Sequence, residues 1–171
     1  MATRLATHFV LALIVVVLGS LETNSFAADS AKRLDLSGAL SQAGLFAGLT
    51  DPERTALKSA ATLLRCKEGE RIVEQGKPLD RMFVVLEGQV AIRVNGKAVA
   101  TLPAQSLVGE IEFLDRLPAS ADVVILKESY VIELNNAALT GLMKKQPRLG
   151  YVLMSEIARI EGQRLRDMDR K

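Results

Sequence analysis

Two carboxylates, Glu110 and Glu112, stand two residues apart in the segment Gly109-Glu110-Ile111-Glu112-Phe113, and Pro118-Ala119-Ser120-Ala121 follows shortly after. A short helix entered through glycine and glutamate presents free backbone N–H groups that together cradle an anion. The glutamate is also suited to accept a hydrogen bond from a sugar hydroxyl. A Gly-Glu pair alone is a weak signal. Elsewhere the chain is poor in reactive groups, with one histidine, His8, and one cysteine, Cys66. Cys66 reads as a half-buried core residue and not as a reactive thiol, and a single thiol forms no intramolecular disulfide. Glu68, Glu70 and Glu74 read as a solvated turn and strand edge, not as a site for a hard cation. No catalytic residue and no metal-ligand set is assigned, and an enzyme is not expected.

The first segment carries its own signature. Arg4 precedes an apolar run from Phe9 to Leu18, and Ser25-Phe26-Ala27 places small residues at the −3 and −1 positions of a cleavage site before Ala28. Residues 1–27 therefore read as a secretory signal peptide. An uncleaved anchor is the second reading, and the run is short for it, because a span needs roughly 20 apolar residues. Cleavage leaves residues 28–171 without histidine, and because Arg4 and Glu22 leave together the net charge stays at +2. That excludes histidine general bases, Ser-His and Cys-His dyads and imidazole metal sites. It predicts a periplasmic or secreted protein with no stable membrane insertion after cleavage. With 22 basic against 20 acidic residues, nothing in the charge balance points to nucleic acid.

The elements that must position the glutamates follow from pattern. Leu34, Leu40, Leu45 and Phe46 suggest a short helix, and Thr50-Asp51-Pro52-Glu53 opens a second one, expected to run to about Leu64. After Cys66, turn signals recur every 8–12 residues or so between short β-branched runs, which predicts an antiparallel sandwich or barrel over about residues 65–135. Strands are expected at Met82 to Leu86, Val90 to Val94, Ala98 to Leu102, Asp122 to Leu126 and Tyr130 to Leu134. Asn95-Gly96 is the sharpest turn signal, since both residues tolerate the positive φ of a type I′ hairpin. Helices return over about 137–169: Ala137 to Lys145, then a long one from Leu149 to Met168. Its apolar residues Leu149, Val152, Leu153, Ile157, Ile160 and Met168 form one stripe, which either packs on the barrel or pairs with a second copy as a homodimer; pairing is the preferred reading.

Several spaced motifs agree with one family. Lys67-Glu68-Gly69-Glu70, Gln75-Gly76 before Leu79-Asp80, the run Met82 to Val90, Gly109-Glu110 and Pro118-Ala119-Ser120-Ala121 occur in its order and spacing. From about Leu45 onward the chain resembles the cyclic-nucleotide-binding domain of catabolite-activator-type regulators and of the regulatory subunits of cyclic-AMP-dependent protein kinase. The resemblance implies a mainly β fold with flanking helices, a double-stranded β-helix or jelly roll, with a long C-terminal helix that forms the dimer interface in the bacterial regulators.

The resemblance also implies a ligand of the cAMP or cGMP class, no other cofactor, and a binding cassette made of Gly109, Glu110, Ile111, Glu112, Ala119, Ser120 and Ala121. In that family the glutamate accepts the ribose 2′-hydroxyl, cassette amides hold the cyclic phosphate, and an arginine directly after the proline pairs with it. Glu110, Ser120 and Ala121 match; Ala119 stands where the arginine belongs. Losing one partner of a buried charge pair costs roughly 2–5 kcal/mol, which takes a micromolar site to the submillimolar range or weaker. Glu112 occupies a position that is usually small. Facing the ligand it would repel a phosphate by about 3 kcal/mol at about 5 Å and an effective dielectric near 20; the alternative is that it points to solvent. Arg116 is the nearby candidate to replace the missing cation, though a solvated surface arginine is its commoner role.

The expected function is thus an exported single-domain sensor or interaction module with a degenerate cassette and weak or no cyclic-nucleotide affinity, acting through itself or a protein partner. The alternative is a genuine cyclic-nucleotide receptor acting as a regulatory subunit. A transcription regulator is not expected, because the sequence reaches Lys171 directly after the long helix, where the bacterial relatives continue into a helix-turn-helix.

Overall fold

Two four-stranded antiparallel sheets enclose one apolar layer in the computed structural model, which describes residues 34–170. The expected signal peptide, residues 1–27, lies outside the described residues. One sheet has the order β1-β8-β3-β6, built from β1 (Ala61–Cys66), β8 (Ser129–Asn135), β3 (Arg81–Val85) and β6 (Ser106–Val108). The other has the order β2-β7-β4-β5, from β2 (Arg71–Val73), β7 (Asp122–Lys127), β4 (Gln89–Val94) and β5 (Lys97–Pro103). Five helices flank them: α1 (Leu36–Gln42), α2 (Asp51–Leu57), α3 (Glu110–Asp115), α4 (Asn136–Lys145) and α5 (Pro147–Met168), with a 3-10 turn at Gly44–Phe46. This is the mainly β jelly roll with a long C-terminal helix that the sequence predicts.

The period of a strand explains why β3 is apolar throughout. Its alternate residues Phe83 and Val85 face the layer between the sheets, with Val90, Val108, Val123, Ile125 and Val131. Met82 and Val84 face the opposite way, into a second core with Ile132 and Leu134 of β8, Leu40 of α1 and Leu139 of α4. A sheet covered on both faces selects a continuous hydrophobic run. Both cores are buried within one chain, and Leu149, Leu153 and Ile157 of α5 belong to the second. The inner half of the apolar stripe on α5 is therefore spent on this fold.

The second helix is shorter than its pattern predicts. It opens as expected, with the Thr50 backbone N–H donating to Glu53 Oε2 at 2.8 Å, but it ends at Leu57. Residues 61–66, read partly as helix, are strand β1, paired residue for residue with β8 from Ala61 opposite Leu134 to Cys66 opposite Ser129. Asn135 N–H donates to Ala60 O at 2.9 Å and fixes the start of that pairing. Six ladder positions in a half-buried sheet outweigh the modest helix preference of Ala-Thr-Leu-Leu, so the β-roll begins at residue 61 and not 65. The Asn95-Gly96 hairpin forms as expected, with φ of 51° and 77°. Among the described residues no helix is long and apolar enough to cross a membrane, and no group of three His, Cys, Asp or Glu side chains could hold a metal ion.

Candidate functional site

The chain enters α3 through a backbone turn that only glycine makes easily. Gly109 has φ 81°, and a Cβ there would lie 3.0 Å from Arg81 O and 3.0 Å from Leu79 Cδ2. The turn sets α3 against β3 and aims Glu110 inward, where it is 3% exposed. A cavity of about 230 Å³ opens beside it, walled by Val73, Ile92, Leu102 and Val123 and closed by Glu112, Ser120 and Ala121. Six of the seven expected site residues, Gly109, Glu110, Ile111, Glu112, Ser120 and Ala121, thus meet around one space.

Ala119 is 3% exposed and packs in the layer between the sheets. Its backbone is fixed on both sides, its N–H donating to Lys77 O and its carbonyl accepting from Gly76 N–H, both at 2.8 Å. The position is inward-facing, and it carries a methyl group and no cation.

Glu112 does not point to solvent; it lines the cavity and is engaged from within the chain. It is buried, and its Oε1 accepts from the Ser120 backbone N–H at 2.9 Å and from the Ser120 hydroxyl at 3.1 Å. The carboxylate therefore occupies an amide and a hydroxyl of the segment after the proline, closing the cassette on itself.

Glu110 is also engaged from within. Arg164, on α5, forms an ion pair with Glu110 Oε1, donates to Leu107 O at 2.5 Å and pairs with Glu161 Oε1 at 2.8 Å. Glu110 Oε2 is buried with no hydrogen-bond partner among the described residues. Burial pushes the Glu110 carboxyl up to about 7, against the opposing pull of the Arg164 charge, and Glu161 adds to the rise.

The cation at this site is therefore Arg164 and not Arg116. Arg116 is exposed in a left-handed conformation at the end of α3, and it lines a separate groove of about 1060 Å³ with Phe113, Leu117 and Met143. The role of Arg164 has a signal in the sequence that the local motifs do not include. Arg164 lies seven residues after Ile157, on the buried face of α5, and an arginine on a buried face requires a partner. Cys66, expected half-buried, is fully so, and desolvation raises its thiol from the usual value to about 11.

Comparison with known proteins agrees with this fold. A family model described as "Cyclic nucleotide-binding domain" matches residues 63–146. The Pycsar effector protein XpPycTIR of Xanthomonas perforans is 25% identical over 104 residues, which cover 60% of this chain and 34% of that protein. This chain thus spans about a third of that relative's length. Among solved structures, a cyclic nucleotide-binding domain from Methylobacillus flagellatus superimposes with a TM-score of 0.66 at 21% identity, covering 77% of each chain. The catabolite activator protein of Thermus thermophilus does so with a TM-score of 0.60 at 25% identity, over 73% of this chain and 59% of that one.

Proposed function

Because residues 63–146 belong to the cyclic nucleotide-binding domain family, we infer that this chain is a sensor or interaction module whose nucleotide seat is filled by its own side chains, with weak or no affinity for cAMP and cGMP. The observation that carries this reading is the pair of hydrogen bonds from Ser120 to Glu112 Oε1. An anionic ligand would have to expel a carboxylate from those donors and then sit beside it. Ala119 stands at the arginine position of the family and offers no cation in return, and Arg164 is already paired with Glu110 and Glu161. The signal-peptide pattern of residues 1–27 supports export as part of this proposal: a protein released by cleavage after Ala27 would work in the periplasm or outside the cell, away from the cytoplasm where cyclic nucleotides are made. Self-association, where it occurs, uses the outer end of α5, where Leu165 and Met168 are exposed.

One observation favours the receptor reading. Arg164 brings a guanidinium to the cavity, and a rotation about its side chain would present it to a phosphate. Calorimetric titration of the purified protein with cAMP and cGMP separates the two. Silence is expected from the natural protein, and binding is expected from a Glu112→Gly, Ala119→Arg double variant, which frees the Ser120 donors and restores the missing cation. Micromolar binding by the natural protein overturns the self-filled reading in favour of a receptor.

A further inference from the structure

The self-filled cassette leaves one acceptor unused, and its surroundings select what can use it. Resting on that reading, we propose that the cavity beside Glu110 binds a small organic cation, a guanidine or primary amine with a short apolar body, through Glu110 Oε2.

Four observations converge on this. Glu110 Oε2 is buried without a partner on a residue 3% exposed, and it belongs to a side chain that lines the cavity. A buried acceptor left unpaired is unfavourable, so the site lacks a donor. Once the Glu110 carboxylate forms, the charge around it has the wrong sign for a phosphate: among the described residues Glu110, Glu112 and Glu161 are answered by Arg164 alone. An ammonium or guanidinium brings donors only and reduces that imbalance, whereas an anion increases it. The walls, Val73, Ile92, Leu102 and Val123, are apolar and suit a methylene chain. At about 230 Å³ the space falls below the roughly 300–1,000 Å³ of sites for drug-sized ligands, so the ligand is small.

The chemistry already has an example in the same place. The Arg164 head is a guanidinium held by a Glu110 oxygen, a Glu161 oxygen and the Leu107 carbonyl. It satisfies Oε1 and stays in position, while the ligand satisfies Oε2.

Agmatine is the probe, titrated into the isotope-labelled purified protein with amide chemical shifts as the readout. Butylurea, a neutral donor, and an acetylated arginine peptide amide run beside it. Saturable shifts at Glu110, Ser120 and Val123 are expected with agmatine and not with butylurea. Glu110→Gln keeps the shape and a well-dispersed spectrum reports that it folds; it should weaken binding at least tenfold. Leu102→Phe, which narrows the cavity without touching a charge, should weaken it as well. With the Glu110 carboxyl near 7, faced by Arg164, Glu161 and Glu112, affinity should rise about tenfold from pH 6 to pH 8 as the carboxylate forms. No saturable shift at about 10 mM agmatine, or equal binding by Glu110→Gln, overturns the proposal. Binding of the peptide alone overturns it too, by moving the cation onto a protein partner. A parallel titration with cAMP separates the levels. If neither compound binds, the small-cation proposal falls and the self-filled cassette stands; if cAMP binds at these residues, both fall.

Discussion

Glu112 and Ser120 close the cassette between them: one carboxylate oxygen receives both the backbone N–H of Ser120, at 2.9 Å, and its hydroxyl, at 3.1 Å. The pair joins the first turn of α3 to the segment leading into β7, the two stretches that must lie together for the cavity to have walls. An acidic residue at this position thus serves as an internal anion. Its removal should both weaken the fold and open the seat.

Glu112→Ala is accordingly expected to lower stability by roughly 1–3 kcal/mol, the cost of leaving a part-buried donor without its acceptor. Urea denaturation followed by circular dichroism measures this, and the Ser120 amide resonance should move upfield as its hydrogen bond is lost. A variant with unchanged midpoint and unchanged Ser120 shift would show that the pair does not hold the segment.

The raised carboxyl of Glu110 makes stability depend on pH. Its folded value, about 7, lies above the ordinary 4.5, so between those values the native state binds more protons than the unfolded chain. Stability contributed by this group is therefore complete below about pH 4.5 and is lost as pH rises to about 7, by on the order of 3 kcal/mol. Removing Arg164 takes away the charge that holds the carboxyl down. In Arg164→Ala the Glu110 titration, followed by carboxyl-carbon chemical shift, should move above 7, and the loss of stability should extend to higher pH. A downward move would contradict the ion pair.

Much of the fold was legible because it rests on repeating patterns. The Asn95-Gly96 turn, the two-faced apolar run of β3 and the amphipathic α5 each declare themselves within a few residues. The short strands β2 and β6, three residues each, carry no period long enough to read. Strand β1 was hidden for another reason: Ala-Thr-Leu-Leu suits helix or strand, and only pairing with β8, more than sixty residues away in sequence, decides. The site divided in the same way. Gly109, Glu110, Ser120 and Ala121 are local in sequence and were found together. Arg164 reaches Glu110 across 54 residues, and its inward placement depends on how α5 packs.

Two glycines with positive φ should respond very differently to alanine. At Gly88, φ 90°, a Cβ would lie 2.1 Å from Ser129 Oγ and 2.8 Å from Glu128 O. At Gly96, φ 77°, it would meet nothing within 4 Å. Gly96→Ala should cost only the left-handed backbone penalty, about 1–2 kcal/mol, while Gly88→Ala adds a collision with backbone, about 1–3 kcal/mol more. Thermal midpoints of the two variants, compared with the natural protein, test the ordering. Equal losses would mean that the β8 segment yields freely at Ser129.

Cys66 should be inert in the folded protein. Its thiol, at the end of β1, is buried in the layer between the sheets and raised to about 11, first by desolvation and then by Glu70 and Glu133. Less than about one part in a hundred is thiolate at pH 8. A disulfide reagent should therefore modify it only at the rate of unfolding, and saturating denaturant should make the reaction immediate. Rapid modification of the native protein would place the residue at the surface.

A charge at Ile157 distinguishes the two roles open to α5. Were that residue the centre of a helix pair between copies, Ile157→Asp would leave a folded monomer. It is instead 1% exposed within a single chain, packed in the same core as Leu149, Leu153 and the α1 residue Leu40. Burying an unpaired carboxylate there costs several kcal/mol, comparable with the whole stability of a small domain. Ile157→Asp should abolish cooperative unfolding in a thermal melt. Leu165→Asp, at a residue 58% exposed on the same helix, should keep it. Light scattering on the second variant then reports on self-association with the fold intact: a fall in mass places the contact at the outer end of α5, and a folded Ile157→Asp protein of reduced mass would return the interface to the inner stripe.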